Sequence, residues 1–342
     1  MEKGYINKQH MRNSDSLTGD GTFISSVEAF SSADIKARPE EERIKTIIPL
    51  LIRSAMMAVA LGVFCYSFFV IASRMIEDKR MQDAYAAIRP NIDAVSEVNR
   101  PNQLREPSRM LTLLEMLDFD GEIPDYIVDP VDYNDIMWYK NTVQNLSAQY
   151  PDVYGWIIFT GTKAPGVGTD GRGIDYPIMQ GEDNFYYLEH DYRGREARAG
   201  SIFADFSLSR NHEENYNTLI YGHNMGNGSM FRAIKLWYEK PNRNTLAESM
   251  QIEIYTKDAV YVYELFSAYR SDDFNFDKTQ FKDSEDYLAY LREVEKRSVL
   301  GKKVPYSAQS KICTLVTCTN VAANKNERFV VHGIQRQVIP YE

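Results

Sequence analysis

Between Arg53 and Arg74 the chain carries no charge: Ser54 to Ser73 reads Ser-Ala-Met-Met-Ala-Val-Ala-Leu-Gly-Val-Phe-Cys-Tyr-Ser-Phe-Phe-Val-Ile-Ala-Ser. At about 1.5 Å of helical rise per residue, this stretch spans roughly 30 Å, the thickness of a bilayer's hydrocarbon layer. A buried core helix is the competing explanation. A signal peptide would have a shorter apolar region. The stretch divides the chain into an expected cytoplasmic, mostly disordered tail (1–45), a transmembrane helix (46–73), a stalk with helices (74–134) and a folded domain (135–342). Lys36, Arg38, Arg43, Lys45 and Arg53 precede the span, and Arg74, Lys79, Arg80 and Arg89 follow it. This small excess puts the N-terminus in the cytoplasm and the large domain outside, with the lipid bilayer as a partner through one helix.

Composition narrows the rest. The 342 residues are 44% hydrophobic and 25% charged, enough to bury a sizeable core. A net charge of −9 argues against nucleic acid as a partner. The 23 tyrosines suit β-structure and grooves for extended peptides. Cys65, Cys313 and Cys318 are too few for a disulfide scaffold, and Cys313 and Cys318 point to opposite faces of one strand. No zinc-type ligand cluster is present, and neither a metal nor a cofactor is expected.

After the apolar span, Met75, Ala84, Tyr85, Ile88 and Ile92 recur at a loose helical spacing that Pro90 interrupts. Arg109 to Leu117 reads as a second short helix. From about Asp135 the pattern is mostly β. Strands are expected at Tyr154–Thr160, Tyr176–Met179, Ser201–Ala204, Thr218–Tyr221, Gln251–Tyr255, Val260–Ala268, Lys311–Cys318 and Arg328–Ile334. Eight short strands separated by turn signals predict a mainly β fold, a closed eight-stranded barrel. Helices interrupt it at about Ser229–Tyr238 and at Ser284–Arg297, the latter capped by Asp283 or Ser284. The glycine-rich loop Gly161–Gly173 lacks the following helix that a nucleotide-binding loop needs.

The chemistry centres on Lys311-Ile312-Cys313-Thr314-Leu315-Val316-Thr317-Cys318-Thr319-Asn320, a buried strand with a thiol at its mouth. A rigid element that presents a side chain at its end suits a nucleophile; the plainer alternative is a small buried hydrophobe. A nucleophilic cysteine needs a base nearby. His223 follows the strand Thr218–Tyr221 and is the first candidate. His332, on a strand, is the weaker one, and His10, His190 and His212 lie in polar stretches and are expected to be solvated. Acyl transfer needs a donor for the oxyanion, and Arg328 opens the strand after Cys318; the alternative is a surface pair with Glu327.

Together these elements resemble the sortases, membrane-anchored cysteine transpeptidases of Gram-positive bacteria. Thr314-Leu315-Val316-Thr317-Cys318, with Tyr221-Gly222-His223-Asn224-Met225 before it and Arg328-Phe329-Val330-Val331-His332-Gly333 after it, carries the likeness, which extends over Tyr154 to Ile334. Gly155-Trp156-Ile157, Ile174-Asp175-Tyr176-Pro177-Ile178, Gly181 to Asn184, Tyr186-Tyr187-Leu188, Gly200-Ser201-Ile202-Phe203-Ala204-Asp205 and the Ser284–Arg297 helix are most like class B.

The resemblance implies a sortase-type barrel. Cys318 would be the nucleophile on a threonine carbonyl, His223 the acid and base, and Arg328 the oxyanion or substrate-backbone donor. Substrate contacts would fall on Asn184, Thr317, Tyr221 and Asn224. The partners implied are surface proteins with a C-terminal sorting signal, and a peptidoglycan precursor or pilin amine as acceptor. Val316 stands where class B members often have serine, and Lys163–Gly173 resembles an insertion. A different cysteine peptidase or a non-catalytic tethered binding module are the alternatives. A papain-like chain has its cysteine before its histidine, and an L,D-transpeptidase has histidine and glycine immediately before the cysteine.

Overall fold

The computed structural model describes residues 40–89, 133–162, 173–272 and 276–341. The expected helix Arg109–Leu117, His10, most of the tail and all of Lys163–Gly173 but its last residue lie outside them. Two compact units divide between Phe69 and Val70.

Helix α1 runs from Glu40 to Ile88, so it starts inside the stretch expected to be tail and ends beyond the expected limit of 73. It ends two residues before Pro90, whose ring disfavours helical geometry in the residue preceding it. Among the described residues it is the one helix long and apolar enough to cross a membrane, by length and composition. Leu51, Met57, Val59, Phe64, Phe68 and Phe69 are all exposed, as is Cys65.

The second unit is a closed barrel. Its strands are β1 (Val153–Phe159), β2 (Ile174–Met179), β3 (Ile202–Ala204), β4 (Asn217–Tyr221), β5 (Gln251–Tyr255), β6 (Ala259–Ser271), β7 (Ile312–Cys318) and β8 (Arg328–Pro340). They close in the order β1-β2-β3-β4-β7-β8-β6-β5. Neighbours are antiparallel except β2 with β3 and β4 with β7. Closure leaves no edge strand and turns one face of every strand inward. Ile157, Phe159, Ile254, Leu265, Leu315 and Val331 are among those that fill the interior, each contributing about 1.5–3 kcal/mol on burial.

Helix α2 (Tyr133–Gln149) falls where the sequence pattern reads as stalk and then β. Ile136, Tyr139, Val143 and Leu146 make its buried stripe, and the Tyr139 ring lies 4.6 Å from that of Tyr255 in β5. Helices α3 (Arg232–Tyr238) and α4 (Arg243–Glu248) follow β4, the first starting three residues later than expected. Helix α5 spans Ser284–Arg297. The Asp283 side chain accepts from the amides of Glu285 and Asp286, which satisfies two orphan donors of its first turn. Tyr287, Tyr290, Leu291 and Val294 cover the outer face of β7 and β8, meeting Ile312, Val316, Val330 and Ile334.

Tyr85 donates its hydroxyl to the carbonyl of Gly200 (3.1 Å), and Arg89 Nε donates to that of Asp175 (2.8 Å).

Candidate active site

Strands β4 and β7 run parallel, so their C-terminal ends lie side by side although distant in sequence. The register pairs Tyr221 with Val316, and the Gly222 amide extends the ladder by donating to the Val316 carbonyl. His223 therefore leaves β4 where Cys318 leaves β7. On the other side β7 and β8 are antiparallel, with Cys318 opposite Arg328. Opposed residues share a face, so the thiol and the guanidinium both project from the outer wall. All three side chains are half-buried. A thiol, an imidazole and a guanidinium are thus gathered at one rim.

The imidazole has a defined tautomer. His223 Nε2 lies 2.8 Å from the Leu188 carbonyl oxygen. A carbonyl only accepts, so Nε2 carries the proton, and Nδ1 is left to exchange one. The Leu188 carbonyl is positioned by tight backbone packing. Gly200 has a φ of +53°, and a Cβ there would sit 2.5 Å from the carbonyl oxygens of both Tyr187 and Leu188.

Arg328 Nη1 donates to the carbonyls of Lys325 (2.8 Å) and Glu327 (3.1 Å) in the β7–β8 loop. The Glu327 carboxylate pairs with Arg270 of β6, which holds its pKa below the usual carboxylate range. The surface Arg328–Glu327 carboxylate pair considered from sequence is therefore not made. The Thr319 amide, next to Cys318, donates to the Glu327 carbonyl at 3.2 Å.

The four other expected contacts separate into two groups. Asn184 and Tyr221 meet at Asp205, a carboxylate 6% exposed. Asn184 Nδ2 donates to its Oδ2 at 2.7 Å, and the Tyr221 hydroxyl donates to the same atom at 3.3 Å. Ser207 supplies its amide and hydroxyl to Oδ1. Burial, and then the carboxylate, push the Tyr221 hydroxyl pKa up, so it stays a neutral donor. Thr317 is turned into the barrel with Cys313 and Leu315, away from the face of Cys318. Its hydroxyl is buried without a partner among the described residues. Asn224 is 5% exposed and is bonded to the Cys318 carbonyl.

His212 is not solvated as expected. It is buried, with Nδ1 2.8 Å from the Tyr154 hydroxyl and Nε2 2.6 Å from that of Tyr263. Burial drives its pKa down to about 3. His332 is likewise a core residue between Tyr269 (3.0 Å) and Thr314 (2.8 Å), with its pKa also lowered to about 3 by burial. His190, half-buried, stacks on Tyr186 at 3.9 Å. Sequence reasoning missed the Leu188 carbonyl, Gly200 and Asp205. Gly200 and Asp205 bracket a short apolar run, and the glycine before that run was the available signal. Among the described residues no three His, Cys, Asp or Glu side chains gather to hold a metal ion.

The chain is similar to known sortases. The Sortase domain family matches residues 168–335. Sortase B of Listeria monocytogenes is 30% identical over 285 residues, which is 82% of this chain and 94% of that one. Sortase B of Staphylococcus aureus is 32% identical over 183 residues, 53% of this chain and 68% of that one. Among solved structures, a cysteine-to-serine mutant form of Clostridium perfringens sortase B aligns with a TM-score of 0.51 at 28% identity, covering 60% of this chain and 90% of that one. The Staphylococcus aureus sortase B–substrate complex aligns with a TM-score of 0.52 over 78% of this chain and 100% of that one; at 24% identity it speaks to the fold alone.

Proposed function

The chain belongs to the sortase family of cysteine transpeptidases, most like class B, and from that premise we propose that it cuts a C-terminal sorting signal after threonine and joins the new carboxyl end to a cell-wall amine. The Cys318 thiolate attacks the threonine carbonyl. A C–S bond forms, and the peptide C–N bond breaks as His223 gives a proton to the leaving amine. The incoming amine then attacks the thioester, the C–S bond breaks, and the amine's proton returns to the imidazole. Arg328 faces the developing oxyanion, where a fixed cation is worth more than in bulk water. Asn184 and Tyr221, held by Asp205, are the remaining candidates for contacts to the peptide. The observation that carries this reading is the register: Cys318 opposite Arg328, with β4 delivering His223 to the same rim.

The apolar helix is proposed to anchor the enzyme with its N-terminus inside and the barrel outside the cell. This would place the barrel where sorting signals and wall precursors meet.

The test uses the full chain in detergent micelles with fluorogenic sorting-signal peptides. Turnover is expected to rise with hydroxylamine, which captures the thioester. Cys318→Ala and His223→Ala should remove it, and Arg328→Ala should reduce it by about a hundredfold or more. Full cleavage by Cys318→Ala would refute the mechanism. A glycyl peptide and a lysine-bearing pilin segment, offered as competing amines, separate wall anchoring from pilus assembly. Protease added to intact cells should digest the barrel and spare an N-terminal tag; the reverse pattern would refute the orientation.

A further inference from the structure

The turn after β4 is joined to the end of β7 through one residue. Asn224 Nδ2 donates to the Cys318 carbonyl at 2.7 Å, and its Oδ1 accepts from Arg232 Nη1 at 3.1 Å. Its own carbonyl accepts from Asn320 Nδ2 at 2.7 Å. Two of these bonds cross between the segment that carries His223 and the segment that carries Cys318. Asn224 also bridges to Met230, and the Phe231 amide donates to the His223 carbonyl at 2.9 Å. Met230 (φ +57°) and Asn320 (φ +60°) are the two non-glycine residues in left-handed backbone among those described, and both touch this link. Left-handed backbone costs of order 1–3 kcal/mol per residue and persists where the surroundings over-determine it.

We propose that Asn224 is a positioning residue that fixes the separation of the Cys318 sulfur and the His223 ring, and not a contact for the sorting signal. Three of its hydrogen-bonding groups are already used within the protein, and at 5% exposure its side chain offers little to a peptide. An amide suits the task. It donates to the Cys318 carbonyl and accepts from Arg232 without placing a second negative charge beside a thiolate. A carboxylate there would oppose the carbonyl oxygen and lose the donor. Because proton exchange between sulfur and imidazole depends steeply on distance, loosening this link acts on the chemical step and leaves peptide binding in place.

The inference takes Cys318 and His223 as the reacting pair proposed above, and its test has one arm that needs no peptide. Asn224→Ala and Asn224→Asp are made in the full chain in detergent. Three quantities are read: kcat, KM for the sorting peptide, and the pH dependence of Cys318 alkylation by iodoacetamide. Both variants are expected to lose about tenfold or more in kcat with KM within about twofold. The alkylation curve of both variants is expected to separate from that of the unsubstituted protein, because the link sets how near the ring lies to the sulfur. A raised KM with kcat retained would overturn the proposal in favour of substrate contact. An unchanged kcat and alkylation curve, whatever the melting temperature, would overturn it in favour of a purely structural part. Should both variants fail to fold, Asn320→Ala removes one bond of the link from an exposed side chain. It is expected to lower kcat about two- to fivefold, and an unaltered kcat there would count against the link. If no peptide is cleaved by the unsubstituted protein, the proposed function fails while the alkylation curves still decide the role of Asn224.

Discussion

Each end of the parallel β4–β7 pair carries one histidine and one cysteine, and the two ends behave as opposites. At the start, His212 precedes β4 and Cys313 is the second residue of β7. Both are buried in the barrel beside Tyr154 and Tyr263. Burial pushes the Cys313 thiol pKa well above its ordinary value and lowers that of His212 to about 3. At the finish, His223 and Cys318 are half-buried at the rim, with the imidazole on a backbone carbonyl and Arg328 opposite the thiol. The residue types are the same. What differs is the surroundings: a thiolate and an imidazolium are both refused in the interior, whereas the two side chains at the rim keep contact with solvent. A cysteine and a histidine brought near each other are therefore not yet a catalytic pair.

The sharpest way to break this contrast is to remove each cysteine in turn. Cys318→Ala should lower turnover by about a thousandfold or more, while Cys313→Ala should leave it within about twofold and cost about 1–2 kcal/mol of stability. Mass mapping of the native protein after iodoacetamide should find label on Cys318 and none on Cys313. Label on Cys313 at a comparable rate would mean that the interior is open to solvent.

A smaller effect is expected from moving the acceptor that holds the rim histidine. Gly200→Ala puts a methyl group against the Leu188 carbonyl, which must shift, and the His223 ring with it. A fall in kcat of about tenfold or more is expected at a temperature where the variant is still folded. An unchanged kcat there would show that this carbonyl does not hold the ring in its working position.

The least dramatic test concerns acid. His212 and His332 bind a proton in the unfolded chain near its ordinary pKa, about 6.5, but in the folded protein only near 3. Between those limits the unfolded state holds more protons, so stability is undiminished above about pH 6.5 and drains away as pH falls. Each histidine contributes a slope of up to ~1.4 kcal/mol per pH unit. His212→Gln should lower stability at pH 7 yet make the acid limb of a denaturation series shallower by one such slope. An identical limb would mean that His212 is not held neutral.

Much of the barrel was legible because its strands are short β-branched and aromatic runs between turn signals. β5 and α5 fall where expected. β6 and β8 run longer than expected because the polar residues of their far ends, Gln335 and Gln337 among them, pair across the sheet instead of forming a loop. Helix α2 was missed although Ile136, Tyr139, Val143 and Leu146 recur at helical spacing. Its polar majority and the nearby prolines read as stalk. His212 was misjudged for a different reason. Its neighbours Arg210, Asn211, Glu213 and Glu214 are polar, while the two tyrosine hydroxyls that make its burial tolerable come from β1 and β6. Local sequence carries no trace of such long-range partners. The positions of Cys318, His223 and Arg328 were legible through motifs around them. The Asp205 cluster and the Asn224 link were not, since each is assembled from three or more separate segments.

One consequence of the β7 ladder concerns insertions and deletions. Side chains alternate along this strand, so shifting it by a single residue against β4 and β8 would carry residue 318 to the inside of the barrel and turn Thr317 outward. The gene thus tolerates length change unevenly. A codon gained or lost between 312 and 318 would scramble the address of residue 318, whereas one in the turn at 307–309, beyond the buried Val304, leaves that register in place.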